Sequence, residues 1–205
     1  MAHNAARRND IRALLEGGVD LNARDRIGAT PLHWAASYGH IKIVRFLLDH
    51  HADANAPNNE GYTPLHEAAL EGHPEVAALL IERGANVDAR NCAGNTPLHT
   101  VALTEYVRTA EILMIHGANQ NIRNASGVKP RYIATCYGCT DIGKLLAAYA
   151  IQAAWRRFRP RARAARTIQR HWIRAYWDPA YRVCQARLRR DFAALAAAPV
   201  PAPAN

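Results

Sequence analysis

The sequence predicts an all-α fold, an α-solenoid of stacked helix–turn–helix pairs that runs on into a basic helical tail. Three observations carry this expectation: a tetrapeptide recurring at constant interval, apolar residues at helical spacing in register with it, and charge divided unevenly along the chain. Thr30-Pro31-Leu32-His33 returns as Thr63-Pro64-Leu65-His66 and as Thr96-Pro97-Leu98-His99, 33 residues apart each time. The next step falls on Lys129-Pro130-Arg131-Tyr132, where only the proline is kept. A fixed period of this length is the mark of a repeat architecture, because one such unit cannot bury its own apolar face and neighbours must stack.

Each part of the unit has a mechanical reason. Threonine before proline marks a helix start: its oxygen can cap free backbone N–H groups, and proline at the first helical position forfeits no hydrogen bond. Leu32, Ala35 and Ala36, matched by Leu65, Ala68 and Ala69, then face inward and are small enough to let neighbouring helices approach. Gly39-His40 and Gly72-His73 fall where the turn between two helices requires positive φ. Val44, Leu47 and Leu48, matched by Val76, Leu79 and Leu80, form a second helix that glycine closes at Gly84 and Gly117. His51 replaces that closing glycine in the first full unit, a mildly strained choice. Glu105-Tyr106 replaces the Gly-His turn in the third. Before residue 26 the pattern is three residues short over 5–14 and lacks most of a first helix.

This pattern resembles the ankyrin-repeat consensus over residues 2–148, with full repeats at 26–58, 59–91 and 92–124 and partial units at 2–25 and 125–148. The resemblance implies β-hairpin-like fingers between helix pairs. It also implies a protein client held by the fingers and by the exposed face of the first helices. Carried onto this chain, the binding positions are Trp34, Ser37 and Tyr38, then Glu67, Leu70 and Glu71, then Thr100, Leu103 and Thr104. Arg26, Ile27, Asn59, Tyr62, Cys92 and Asn95 would be finger tips. Trp34 and Tyr38 are the strongest anchors, since aromatic side chains dominate binding hot spots. Trp34 has an alternative use, packing on the next repeat.

Catalysis and cofactors find no foothold in the residues. His33, His66 and His99 recur at one scaffold register, whereas metal ligands must converge in space. Cys136-Tyr137-Gly138-Cys139 is a single CxxC with neither a second pair nor a βαβ setting. No glycine-rich phosphate loop or nucleophile elbow occurs, so the chain reads as a non-enzyme without cofactor. There is no apolar run of transmembrane length. Residues 1–10 are polar, unlike a secretory signal. The four cysteines are therefore expected as free thiols and the protein as intracellular, cytoplasmic rather than nuclear.

The net charge of +9 separates into two unequal parts. Residues 1–146 carry 14 Lys+Arg against 15 Asp+Glu, whereas 147–205 carry 12 arginines, no lysine, and only Asp178 and Asp191. A repeat domain at 1–148, an arginine-rich helical tail at 149–195 and a disordered Ala/Pro-rich end at 196–205 are the expected divisions. Ile151-Gln152, Trp155, Arg156, Arg157 and Arg161 resemble an IQ motif, with Arg157 in place of its glycine. Ile168-Gln169 opens a second, degenerate copy. Such a basic amphipathic helix fits the groove of calmodulin or a related EF-hand protein. Three other uses stay open: RNA binding with tryptophan stacking, adsorption to an anionic membrane surface, and capping of the solenoid's open end.

Overall fold

The computed structural model describes residues 2–8, 10 and 20–157. Its helices are α1 (Ala2–Arg8), α2 (Pro31–Ser37), α3 (Ile41–Asp49), α4 (Pro64–Glu71), α5 (Pro74–Glu82), α6 (Pro97–Val101), α7 (Val107–Ile115), α8 (Pro130–Cys136) and α9 (Thr140–Arg157). One layer stacks α1, α2, α4, α6 and α8 in succession, and a second stacks α3, α5 and α7. Leu32, Ala35, Leu65, Ala68 and Leu98 lie between the layers with no exposed surface, together with Ile43, Leu47, Leu80 and Leu113. The 33-residue period therefore yields the expected α-solenoid. Its compact unit spans Met1–Ala153.

Histidine rungs join one repeat to the next. Thr30, Thr63 and Thr96 are extended N-caps followed by proline at the first helical position. The Thr30 N–H donates to His33 Nδ1 at 3.0 Å, and the Thr30 hydroxyl lies 2.9 Å from the same nitrogen. Nδ1 must accept, so Nε2 carries the proton and donates to the Tyr62 carbonyl of the next finger at 2.9 Å. His66 bridges Thr63 to the Asn95 carbonyl in the same way, and His99 bridges Thr96 to the Val128 carbonyl. Each cap is thus a reciprocal box closed by histidine at N3, where glutamate or glutamine is the usual partner.

The first unit corrects the sequence expectation. A first helix is present: α1 buries Ala2, Ala5 and Ala6 against α2. His3 Nε2 reaches the Ala29 carbonyl at 3.0 Å, the same bond that His33 makes to Tyr62. His40 likewise meets the Arg7 carbonyl as His73 meets that of Ser37, both at 2.9 Å. The three missing residues shift α1 in sequence but not in its packing.

The fingers are hairpin-like, closed by backbone bonds such as Asp25 N–H to the Ala29 carbonyl and Asn58 N–H to that of Tyr62. Among the described residues they are tight turns without strand pairing, each closed by an Asp or Asn. Asp25 Oδ1 accepts the N–H groups of Ile27 and Ala29, and Asn58 Oδ1 those of Glu60 and Tyr62. Asn91 and Asn124 repeat the device at the same 33-residue step. Neighbouring turns then bond to each other, Asn59 N–H to the Ile27 carbonyl and Cys92 N–H to that of Glu60, both at 3.0 Å.

The departures noted in sequence have local causes. His51 adopts φ of 61°, the left-handed conformation that its missing glycine would have taken. At the turns between helices, Gly39 and Gly72 have φ of 70° and 77°, and rings lie against them. A Cβ on Gly39 would sit 2.6 Å from the His73 ring, and one on Gly72 2.4 Å from that of Tyr106. Tyr106 therefore fills the place of the histidine. Without glycine at 105, α6 stops at Val101 after five residues, short of its counterparts. Thr109 occupies the register of Ile43 and Val76, and its buried hydroxyl has no hydrogen-bond partner. Helix α9 starts in register at Thr140 but runs 18 residues, twice the nine of α3, α5 and α7. Turned so that its nitrogen faces the carbonyl, the Gln120 amide would donate to Leu146 at 2.7 Å and accept from the Ala150 N–H at 3.0 Å.

The rungs make stability depend on pH in a defined direction. Burial pushes His66 down to about 4, whereas an unfolded histidine titrates near 6.5. The unfolded chain binds more protons across that interval, so the rung contributes fully above pH 6.5 and fades as pH falls toward 4. His66→Gln should lower stability at neutral pH by about 2 kcal/mol, through the buried Thr63 N–H and the part-buried Asn95 carbonyl that lose their partner. It should also flatten the acid dependence, as urea unfolding at neutral and mildly acidic pH will measure.

Candidate protein-binding face

Stacking α2, α4, α6 and α8 side by side brings their outward residues into adjacent rows. Trp34, Glu67 and Thr100 share one register, Ser37, Leu70 and Leu103 a second, and Tyr38, Glu71 and Thr104 a third. Most of these positions are open: Tyr38 is 51% exposed and Leu103 39%, Glu71 is exposed, and Glu67, Leu70 and Thr104 are half-buried. Thr100 is the exception. It is 2% exposed, and its hydroxyl donates back to the Thr96 carbonyl at 3.3 Å.

Trp34 is half-buried and is held on its N-terminal side. Its indole N–H donates to Asp25 Oδ2 at 2.9 Å, and the Arg7 guanidinium of α1 lies 3.6 Å above its ring. Tyr38 stacks alongside at 6.4 Å between ring centres and next to His40. Burial opposes ionisation of Asp25. The Trp34 indole and the Ala29 and Ile27 amides outweigh it and hold the carboxyl below its ordinary range. Trp34 is thus a preset platform, and Tyr38 is the more accessible aromatic of the pair.

The finger positions divide. Arg26, Ile27, Asn59 and Cys92 are exposed at the turns. Tyr62 and Asn95 are half-buried, and their carbonyls receive the histidine rungs, so they brace the repeats. The Asp25, Asn58, Asn91 and Asn124 series that shapes the turns escaped the sequence reading, although its 33-residue recurrence is visible there.

Repeat two concentrates negative charge. Burial is the main reason that the Glu67 carboxyl is pushed up to about 7, followed by the charges of Glu71 and Glu60. Ion pairs among the described residues join Arg83 to Asp49, Arg108 to Glu111 and Lys144 to Asp141, and none involves these three glutamates. Cys136 is exposed while Cys139 is buried, and burial pushes the Cys139 thiol up. Among the described residues no three His, Cys, Asp or Glu side chains converge as a metal site. Nor is any described helix long and apolar enough to cross a membrane.

Of the IQ-like positions, 151–157 belong to the backbone of α9, which is helical through Arg157. Arg161, Ile168 and Gln169 lie outside the described residues, as do the rest of the expected helical tail and the Ala/Pro-rich segment 196–205.

Helix pairs stacked in succession, with side-chain rows along one layer, define a helical repeat protein. Models of ankyrin repeats match residues 2–91 (three copies) and 71–114 (many copies), between them more than half the chain. The chain belongs to the ankyrin-repeat family. It is similar to Acyl-CoA-binding domain-containing protein 2 of Arabidopsis thaliana, 46% identical over 46 residues, which are 21% of this chain and 13% of that protein. Putative ankyrin repeat protein FPV223 of Fowlpox virus (strain NVSL) is also 46% identical over 46 residues, 21% of this chain and 33% of the viral protein. The chain therefore spans a third or less of the length of these curated relatives.

The Glu67 environment gives a pH effect opposite in sign to that of His66. Its folded carboxyl keeps its proton to about pH 7 while the unfolded one loses it near 4.5. Stability from this residue is therefore lost as pH rises through that interval. Glu67→Gln should stabilise the protein by about 1–3 kcal/mol at pH 8 and much less at pH 5. Urea unfolding of both proteins at the two pH values checks the sign.

Proposed function

We propose that this protein is a non-catalytic adaptor whose first-helix face holds a protein client. The observation that carries the reading is the row of open side chains along and just beyond α2, α4 and α6, with Tyr38, Leu70, Glu71, Leu103 and Thr104 on a backbone fixed by histidine rungs. Trp34, Tyr62 and Glu67, all half-buried, belong to the same proposed surface. A rigid surface spends little entropy on ordering when a partner binds. A photo-crosslinking residue placed at Tyr38 or Leu103 should capture a discrete protein adduct in cells. The same residue at Lys42 or Ile115, on second helices, should not. Equal capture from both faces would defeat the assignment.

A second reading concerns the tail. The unbroken course of α9 through Arg157 favours presentation of Ile151, Gln152, Trp155, Arg156 and Arg157 on one helix, as an IQ-like segment requires. On this reading, with Arg161, Ile168 and Gln169 completing the motifs, the adaptor also recruits a calmodulin-like protein. RNA or an anionic surface is the alternative ligand, and capping of the solenoid is the alternative role. The full chain titrated with purified calmodulin, with calcium and with EDTA, should bind in at least one condition and lose binding on I151A/Q152A/W155A. A steep salt-dependent affinity for RNA without calmodulin binding would transfer the tail to nucleic acid.

A further inference from the structure

We propose, resting on the client-binding reading above, that the face from α2 to α6 docks a protein segment carrying lysine or arginine beside a large aliphatic or aromatic side chain. Glu67 and Glu71 are four residues apart on α4 and so share one side of that helix. Glu60, on the adjoining finger, adds a third negative charge close enough to oppose ionisation of Glu67. No described cation is paired with any of them. Arg7 of α1 is committed to the Trp34 ring, and the described ion pairs are made elsewhere.

The scaffold therefore carries like charge that it does not itself neutralise, and a cation on the client removes that repulsion as it binds. Beside the carboxylates stands apolar surface: Leu103 at 39% exposure and Tyr38 at 51% flank the half-buried Leu70. A lysine or arginine laid along Leu70 covers that surface with its methylene stem while its head reaches the carboxylates. The neighbouring apolar residue of the client then meets Leu103. Anionic ligands such as RNA or an acidic peptide are repelled at the same place.

The full-length protein panned against a phage-displayed library of random peptides tests this directly. Enriched peptides should carry Lys or Arg next to Leu, Ile, Phe or Trp. At pH 8, where Glu67 is ionised, their affinity should fall about tenfold in E67Q/E71Q, and fall again with added salt. Charge reversal by E67K/E71K should select peptides in which Asp or Glu replaces the cation, a switch that mere loss of folding does not produce. Acidic or uncharged peptides indifferent to E67Q/E71Q but weakened by Y38A and L103A would overturn the cationic partner and leave the binding face intact. Peptides indifferent to all four substitutions, or no enrichment at all, would count against the face itself.

Discussion

A neutral imidazole held between two backbones governs this structure. Each rung takes the N–H of its own helix cap on one ring nitrogen and gives a proton to the carbonyl of the next finger on the other. The cap bonds are buried and the carbonyl bonds part-buried, so each is made where an unmet polar group is costly. The ring therefore fixes helix start, turn position and repeat spacing at once. Small alanines complete the effect by letting the helices come close enough for the ring to span the gap. Stacking in a solenoid is commonly ascribed to apolar burial, which is non-directional. Here the histidine supplies the direction.

Much of this was legible in the residues because the periodic ones each answer a local demand. Thr30-Pro31, Thr63-Pro64 and Thr96-Pro97 open helices where proline predicts, and Gly39 and Gly72 take the left-handed turn. What was hidden depended on partners distant in sequence. His3 could not be recognised as a rung because its neighbours are displaced by three positions and lack the Thr-Pro signature. Thr100 lies in register with Trp34 and Glu67, yet its hydroxyl turns back on its own helix and the residue is buried. Register alone gives a face, but side-chain length and polarity decide whether a position on that face meets water.

The same face shows how a surface can be tuned against stability. Glu67 sits half-buried among like charges, an arrangement that opposes folding at neutral pH, whereas Asp25 in the previous repeat is satisfied by an indole and two amides. One carboxylate is spent on shaping a turn and fixing Trp34. The other is left without a counter-charge. Uncompensated charge on an otherwise consistent scaffold is the local conflict expected where binding, not folding, sets the residue.

The displaced first helix has a wider meaning for the fold. His3 and Ala29 are 26 residues apart, His33 and Tyr62 are 29, yet both bonds measure about 3.0 Å. The array is thus indexed by its hydrogen-bonded joints, and the chain between joints can shorten without altering the pitch. A unit that has lost its periodicity in sequence can remain a full tread of the staircase.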